Sequence, residues 1–287
     1  MPVLALGDPA GPPVALLPGL TDGLHPVSRP EARRLFDELP VPMDRCRGLV
    51  LSYRHPLDAP VSTETLADDV AQVLAALVDG PVVLICHSMG TMVAQHVAVR
   101  HPQLVAGLVL SAPLVHADAR LREVVGRWAE LVRRRRWQRF AEEALAAAYT
   151  GEELARRREL SEALPPDRQD DGLRERHLHL SQACLTHDAR ASLHRILAPT
   201  LLLAADADPV APPHHAELLD AEVAHSHLHV LPGLAHGFPE QAAGAFGALV
   251  TSFLGEVAGS DPDWGRPPAE RRDRGQGDAS WRLPPEQ

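Results

Sequence analysis

The sequence predicts an α/β fold with a mostly parallel sheet, helices on both of its faces and a helical insertion. Three observations predict it. Short apolar runs alternate with helical periods over the first 111 residues and resume near residue 200, the pattern of βαβ units. Between Leu114 and about Arg195 strand signals stop and only helical periods continue. At the centre, Val82-Val83-Leu84-Ile85 runs into Cys86-His87-Ser88-Met89-Gly90 and then a helical segment, a strand and helix joined by a tight turn with a serine at its tip.

Composition narrows the classes. The 287 residues suffice for one α/β domain with an insertion, and the 45% apolar fraction is ordinary for a globular core. Every basic side chain that carries a full charge is arginine, and the net charge of −10 excludes a general nucleic-acid binder, which needs a basic face. Cys46, Cys86 and Cys184 are odd in number and widely spaced, which suggests neither a disulfide framework nor a zinc site and fits a reducing compartment. No apolar run approaches the ~20 residues of a membrane span, and Met1 to Leu6 lacks the features of a signal peptide. A cytoplasmic protein with no membrane partner is expected.

In chain order, Val14-Ala15-Leu16-Leu17 reads as a buried strand leading into Pro18-Gly19-Leu20-Thr21. Ser28 and Glu31 form a capping box for a helix whose stripe is Leu35, Phe36 and Leu39. Gly48 to Ser52 is a second strand. Thr63 to Leu77 carries Leu66, Val70, Val73, Leu74 and Leu77 at helical spacing, and Val105 to Ser111 is a strand after the serine's helix. Residues 115–195 hold sixteen arginines against fourteen acids, about +2, so the remainder carries −12. Leu121, Val124, Val125, Trp128, Leu131 and Val132 mark one helix face, Thr150 and Glu153 a second capping box, and Trp128, Trp137 and Phe140 packing positions. Arg133 to Arg136 spread around a helix and so form no single anion clamp. Strands resume at Thr200 to Ala204 and His227 to Leu231, and one helix from Pro239 turns Phe246, Leu249, Val250, Phe253 and Leu254 inward. The expected organisation is a core of 1–114 and 196–256, a helical cap of 115–195, and a disordered tail over 257–287.

The chemistry follows from what the serine needs. A hydroxyl is a weak nucleophile until a histidine takes its proton and an acid holds that histidine's tautomer. In an open parallel sheet these groups stand beyond the carboxyl ends of strands. Asp206 and Asp208 follow one strand, with Asp208 preferred because Pro209 fixes the turn; His236 follows the last strand between Gly233 and Gly237. Gly19 lets backbone approach closely, so the amides of Leu20 and Met89 are candidates to hold an oxyanion. His25 and His87 are candidates to line the pocket, and His55, which like His25 follows a strand end, could do so or lie in a solvated loop. His225, His227 and His229 share one strand face, but no carboxylate or cysteine at ligand spacing joins them, so neither a metal nor another cofactor is expected.

Taken together these segments resemble the α/β-hydrolase superfamily over roughly residues 10–114 and 196–256. Cys86-His87-Ser88-Met89-Gly90 is similar to its nucleophile elbow, Pro18-Gly19-Leu20 to its oxyanion turn, Pro199 through Pro209 to its acid-bearing strand and turn, and Gly233-Leu234-Ala235-His236 to its histidine loop. Thr65 to Asp69 resembles the start of the helix before the elbow strand. Cys86 and Ala205 stand where the family commonly has glycine, and Pro18 replaces a usual histidine. The resemblance implies Ser88 as nucleophile, His236 as base, Asp208 as acid and a cap shaping the pocket. The expected activity is cleavage of a carboxylester, lactone or thioester of a small to medium substrate through an acyl-enzyme. The rivals on the same residues are carbon–carbon bond hydrolysis and cofactor-free haloperoxidase-like chemistry, and, without catalysis, ligand binding in the capped pocket.

Overall fold

Why the site stands where it does follows from the order of the strands. The computed structural model describes residues 1–38, 45–163 and 171–260. Its sheet has seven strands, β1 (Val3–Gly7), β2 (Pro13–Leu17), β3 (Arg47–Leu51), β4 (Val82–His87), β5 (Val105–Ser111), β6 (Thr200–Ala205) and β7 (Ser226–Leu231), in the spatial order β1-β3-β2-β4-β5-β6-β7. All neighbours pair parallel except β1, which runs antiparallel to β3. The chain moves outward from β2 to β3, then returns to the other side of β2 with β4. That reversal opens a crevice beyond the carboxyl ends of β2 and β4, the switch point at which open α/β sheets bind ligands.

The central strands are continuous apolar runs because both of their faces are covered. All of β2 and β6 and the first five residues of β4 are buried. The helices are α1 (Arg29–Glu38), α2 (Thr63–Leu77), α3 (Met89–Arg100), α4 (Ala119–Arg133), α5 (Trp137–Ala148), α6 (Gly151–Ala163), α7 (Asp171–Thr186), α8 (His214–Glu222), α9 (Phe238–Gln241) and α10 (Ala243–Ser260). The Ser28–Glu31 capping box forms in both directions, at 2.8 and 3.4 Å, and α2 has the bounds its apolar period predicts. Gly107 brings β5 against α10: a Cβ there would stand 3.1 Å from Phe253 and Val257.

The structure departs from the sequence reading in several places. The edge strand β1 was not foreseen, because its half-exposed five residues carry little hydrophobic signal. The last helix is two, α9 and α10, separated at Ala242. It also continues to Ser260 with Val257 buried, past the expected start of the tail; residues 261–287 lie outside the described residues, as does Leu39 of the first helix's stripe. Helix α4 stops at Arg133, so the arginine run leaves the helix, with Arg135 at φ 57°; Arg133 and Arg134 pair with Glu130, and Arg135 with Asp171. The Thr150–Glu153 capping box does not form. Thr150 Oγ1 donates to Gly233 O, while Glu153 pairs with Arg156 and Arg157.

Helices α4 to α7 leave the sheet between β5 and β6. The excursion is pinned at its base by a two-strand bridge of His116 with Asp188, in which Ala117 N donates to His187 O and Ala189 N to Val115 O. Inside it Trp128, Trp137 and His177 pack edge-on around Phe140. A second anchor is Arg176 of α7, only 3% exposed. Its guanidinium donates to the carbonyls of Gly23, Arg54 and Tyr53, which closes the insertion onto the loops after β2 and β3. Burial holds its pKa below the usual arginine value, opposed by Tyr53. Replacing Arg176 with Met strands three buried carbonyls; the expected loss is about 2–4 kcal/mol of unfolding free energy, measured by urea denaturation.

Burial does most to lower the pKa of several histidines, with His187 and His87 pushed down to about 3 and His177 and His215 to about 4. The unfolded chain protonates these rings near 6.5. Between the two values the unfolded state binds more protons, so stability is full above about 6.5 and is lost as pH falls toward the folded values. His187, which shares a hydrogen bond with Thr63 Oγ1 at 2.9 Å, contributes a slope of about 1.4 kcal/mol per pH unit in that window. Unfolding measured from pH 7 down to about 4 is expected to be flatter by about that amount in His187→Asn.

Candidate active site

The elbow is built by two constraints acting on consecutive residues. The register sets Leu17 opposite Cys86 and Cys86 opposite Leu110, so β2, β4 and β5 end nearly level. Ser88 then takes φ 53° and ψ −119°, a backbone conformation that costs of order 1–3 kcal/mol in a non-glycine residue. Its N–H donates to Ser111 O at 3.0 Å, which holds the strained residue against β5. Two residues on, a Cβ at Gly90 would stand 2.6 Å from Leu17 O and 3.0 Å from Pro18 O. The steric demand thus falls on Gly90, and the other flank tolerates a thiol: Cys86 is buried in β4, and burial raises its pKa well above the usual thiol value.

Ser88 heads α3 and is 7% exposed. The Pro18–Leu20 turn packs against it, with the position of a Gly19 Cβ only 3.6 Å from Ser88 Cβ. Tyr53 Oη donates to Pro18 O at 2.8 Å and steadies this turn. The Leu20 N–H has no hydrogen-bond partner among the described residues, and Met89 lies in the first turn of α3, where N–H groups lack intrahelical acceptors.

The structure brings Ser88, His236 and Asp208 together. His236 Nδ1 is 2.8 Å from Asp208 Oδ2, and His236 Nε2 is 2.9 Å from Ser88 Oγ. Asp208 Oδ1 accepts from the amides of Val210 and Ala211 at 2.8 and 2.9 Å. Burial pushes the Asp208 carboxyl up, but His236 and these hydrogen bonds outweigh it and hold it below the usual carboxylate value. An ionised carboxylate only accepts, so His236 donates its Nδ1–H to Asp208 and turns Nε2 toward Ser88. Asp206 does something else: its Oδ1 accepts from Gly233 N at 2.7 Å and shapes the histidine loop.

That loop is also held from the insertion, by contacts too distant along the chain to leave a local signal. His236 N and Gly237 N donate to Ala147 O and Ala148 O at the end of α5. Gly237 is needed here, since a Cβ would meet Ala148 O at 2.8 Å and the Tyr149 ring at 2.9 Å. Glu240 accepts from Tyr149 Oη at 2.7 Å and from Arg157 at 2.6 Å, and Arg157 lies 4.5 Å over the Tyr149 ring. Between the turn, the elbow, the histidine loop and α5 lies a cavity of about 600 Å³. Both His25 and His87 line it, along with Trp128, Tyr149 and Arg157; His55 does not.

Among the described residues, Asp118, His214 and His215 bring one donor atom each within 4.8 Å, with Asp118 Oδ2 3.1 and 3.4 Å from the two Nε2 atoms. Val115 N donates to His215 Nδ1, so the neutral ring keeps its proton on Nε2, facing Asp118. Asp118 thus faces both rings at ion-pair distance, and His215 Nε2 is buried without a hydrogen-bond partner among the described residues.

Comparisons with known proteins agree with this architecture. A parallel sheet with a strained serine elbow at its switch point defines an α/β hydrolase. The chain belongs to the α/β-hydrolase family described as Serine aminopeptidase, S33 (Hydrolase_4), whose profile matches residues 55–240. It is 44% identical over 93 residues to lipase LipV of Mycobacterium tuberculosis; the match spans 32% of this chain and about a third, 36%, of LipV. Its fold is shared with an esterase from Thermogutta terrifontis (TM-score 0.68, 25% identity, 89% of this chain and 93% of that one). It is also shared with MGS-M2, an α/β hydrolase from a Medee basin deep-sea metagenome library (TM-score 0.75, 17% identity, 88% and 93%). No helix among the described residues is long and apolar enough to cross a membrane.

Gly90→Ala is expected to lose about 1–3 kcal/mol of stability and to displace Ser88, because the Leu17 and Pro18 carbonyls are backbone and cannot swing aside. Thermal unfolding together with the rate of fluorophosphonate labelling checks both effects.

Proposed function

We propose that this protein is a serine hydrolase of ester-like bonds, acting through an acyl-enzyme on a small to medium substrate. The observation that carries the reading is the unbroken relay from Asp208 through His236 to Ser88, at 2.8 and 2.9 Å beside a cavity of about 600 Å³. Ser88 Oγ attacks the carbonyl carbon while His236 Nε2 accepts its proton, and Asp208 stabilises the imidazolium that forms. The amides of Leu20 and Met89, at the turn after β2 and the N-terminus of α3, receive the developing oxyanion. His236 then donates its proton to the leaving group. Water, deprotonated by the same ring, releases the acid.

The choice of esters rests on similarity to a lipase and an esterase. Helices α4 to α7 form the cap of this reading, because Trp128, Ala144, Ala148 and Arg157 line the cavity from that side. The same parts would cleave a lactone, a thioester or an amide, and a panel of acyl and leaving groups ranks them.

A fluorophosphonate probe is expected to label the wild-type protein and to leave Ser88→Ala unlabelled; labelling of Ser88→Ala would remove Ser88 from the chemistry. His236→Gln and Asp208→Asn are expected to lower kcat for a p-nitrophenyl ester by about 10³-fold or more. Retained turnover in either, with unfolding unchanged, would remove that residue from the mechanism.

A further inference from the structure

We infer that His87 is a specificity-determining residue, presenting a fixed hydrogen-bond acceptor to substrates that carry a hydroxyl or N–H near the scissile carbonyl. The inference rests on the hydrolase reading and adds to it the kind of substrate the cavity prefers. It begins with Ser111, which faces His87 across the β4–β5 ladder. Ser111 Oγ lies 2.9 Å from Cys86 O, and a carbonyl can only accept, so the one hydroxyl proton is committed there. The same Oγ lies 3.1 Å from His87 Nδ1. With its proton used, Ser111 can only accept from the ring. His87 therefore carries its proton on Nδ1, and its Nε2 is a bare lone pair.

Where that lone pair faces follows from what surrounds the ring. His87 is half-buried and lines the cavity. No described residue hydrogen-bonds Nε2, which leaves that nitrogen for a group in the cavity the ring lines. The ring's Cδ2, bonded to Nε2, is turned toward the Gly19 turn, 3.7 Å from where a Cβ would stand. On its other side the ring lies 4.8 Å from that of His236 and edge-on to Phe238 at 6.2 Å. The ring thus lines the same cavity as Ser88 and Leu20, beside the ring of His236.

The ring also stays neutral. Burial, helped by His236 and opposed by Asp208, pushes its pKa down to about 3. An acceptor of unchanging charge discriminates in one direction: a donor on the substrate completes it, whereas an ether oxygen in the same position meets lone pair with lone pair. A site built to hydrogen-bond a hydroxyl rejects the analogue that lacks the donor more strongly than an apolar pocket rejects an added one.

The test uses matched p-nitrophenyl butyrates bearing hydroxy or methoxy at carbon 2 or carbon 3, and reads the hydroxy-to-methoxy ratio of kcat/KM within each variant. Wild type is expected to favour the hydroxy ester by at least about fivefold in one of the pairs. In His87→Phe, which keeps a planar ring without the acceptor, that ratio is expected to fall to within about twofold of unity. In Ser111→Ala, which frees the tautomer while keeping the ring, it is expected to fall to an intermediate value. The wild-type preference is expected to be flat between about pH 5 and 8. Fluorophosphonate labelling of Ser88 in each variant confirms an intact elbow, and should His87→Phe not label, Ser111→Ala carries the test. A wild-type ratio near unity in both pairs, an unchanged ratio in the variants, or a preference that titrates across this range overturns the inference while leaving the hydrolase reading intact. Absence of any Ser88-dependent turnover overturns both.

Discussion

The close approach of two backbone carbonyls to Gly90 is the contact on which the site depends. Leu17 O and Pro18 O, at the end of β2, come so near the start of α3 that even a methyl group would collide with them. Because the strands are parallel and in level register, this contact sets the turn after β2 beside the turn after β4. Gly19 is thereby laid against Ser88 and His87, and Leu20 lines the same cavity as Ser88 at the head of α3. The strain at Ser88 persists because its N–H is held by Ser111 O and its neighbours are buried strand residues. Small backbone distances at one switch point thus determine where Ser88, the Gly19 turn and the head of α3 can meet.

The second half of the site depends on the insertion. The histidine loop follows β7, an edge strand that is only half-buried, and by itself would have few contacts to hold it. Carbonyls at the end of α5 accept the amides of His236 and Gly237, and Asp206 accepts that of Gly233. Arg157, Glu240 and Tyr149 close the seam beyond them. Arg176, with its three carbonyl acceptors, closes the other side of the same insertion. A segment that leaves the sheet between β5 and β6 is in this way fastened at its base, at α7 and at the histidine loop. Changes within α4 to α7 are therefore felt at His236 as well as in the shape of the cavity.

Much of this was legible in the residues because its signals are local. The strand at Val82 to Ile85, the period of α2, the capping box at Ser28 and the elbow at Ser88 each rest on neighbours within a few positions, where sterics and hydrophobic period act directly. Thr150 shows how such a signal fails. It has the composition of a cap, yet its hydroxyl donates to Gly233, eighty-three positions away, and the local motif loses to a contact its own segment does not contain. Arg176 fails in the opposite sense: an arginine in a charge-rich helical block reads as surface, and only the loops after β2 and β3 supply the carbonyls that let it be buried.

By itself the chain's order of apolar runs, turns and chemically able residues determined the α/β class, the alternation of elements and the positions of Ser88, Asp208 and His236 beyond three strands. Tertiary structure decided the distances: which aspartate meets His236, how the insertion holds that histidine's loop, and which ring nitrogen of His87 faces the cavity. The division has a physical cause. Secondary structure and turn chemistry follow from interactions a few residues long, whereas the direction of a lone pair depends on partners that only strand pairing brings together. Cys86, Ser111 and His87 act on one another because β4 and β5 lie side by side in that register.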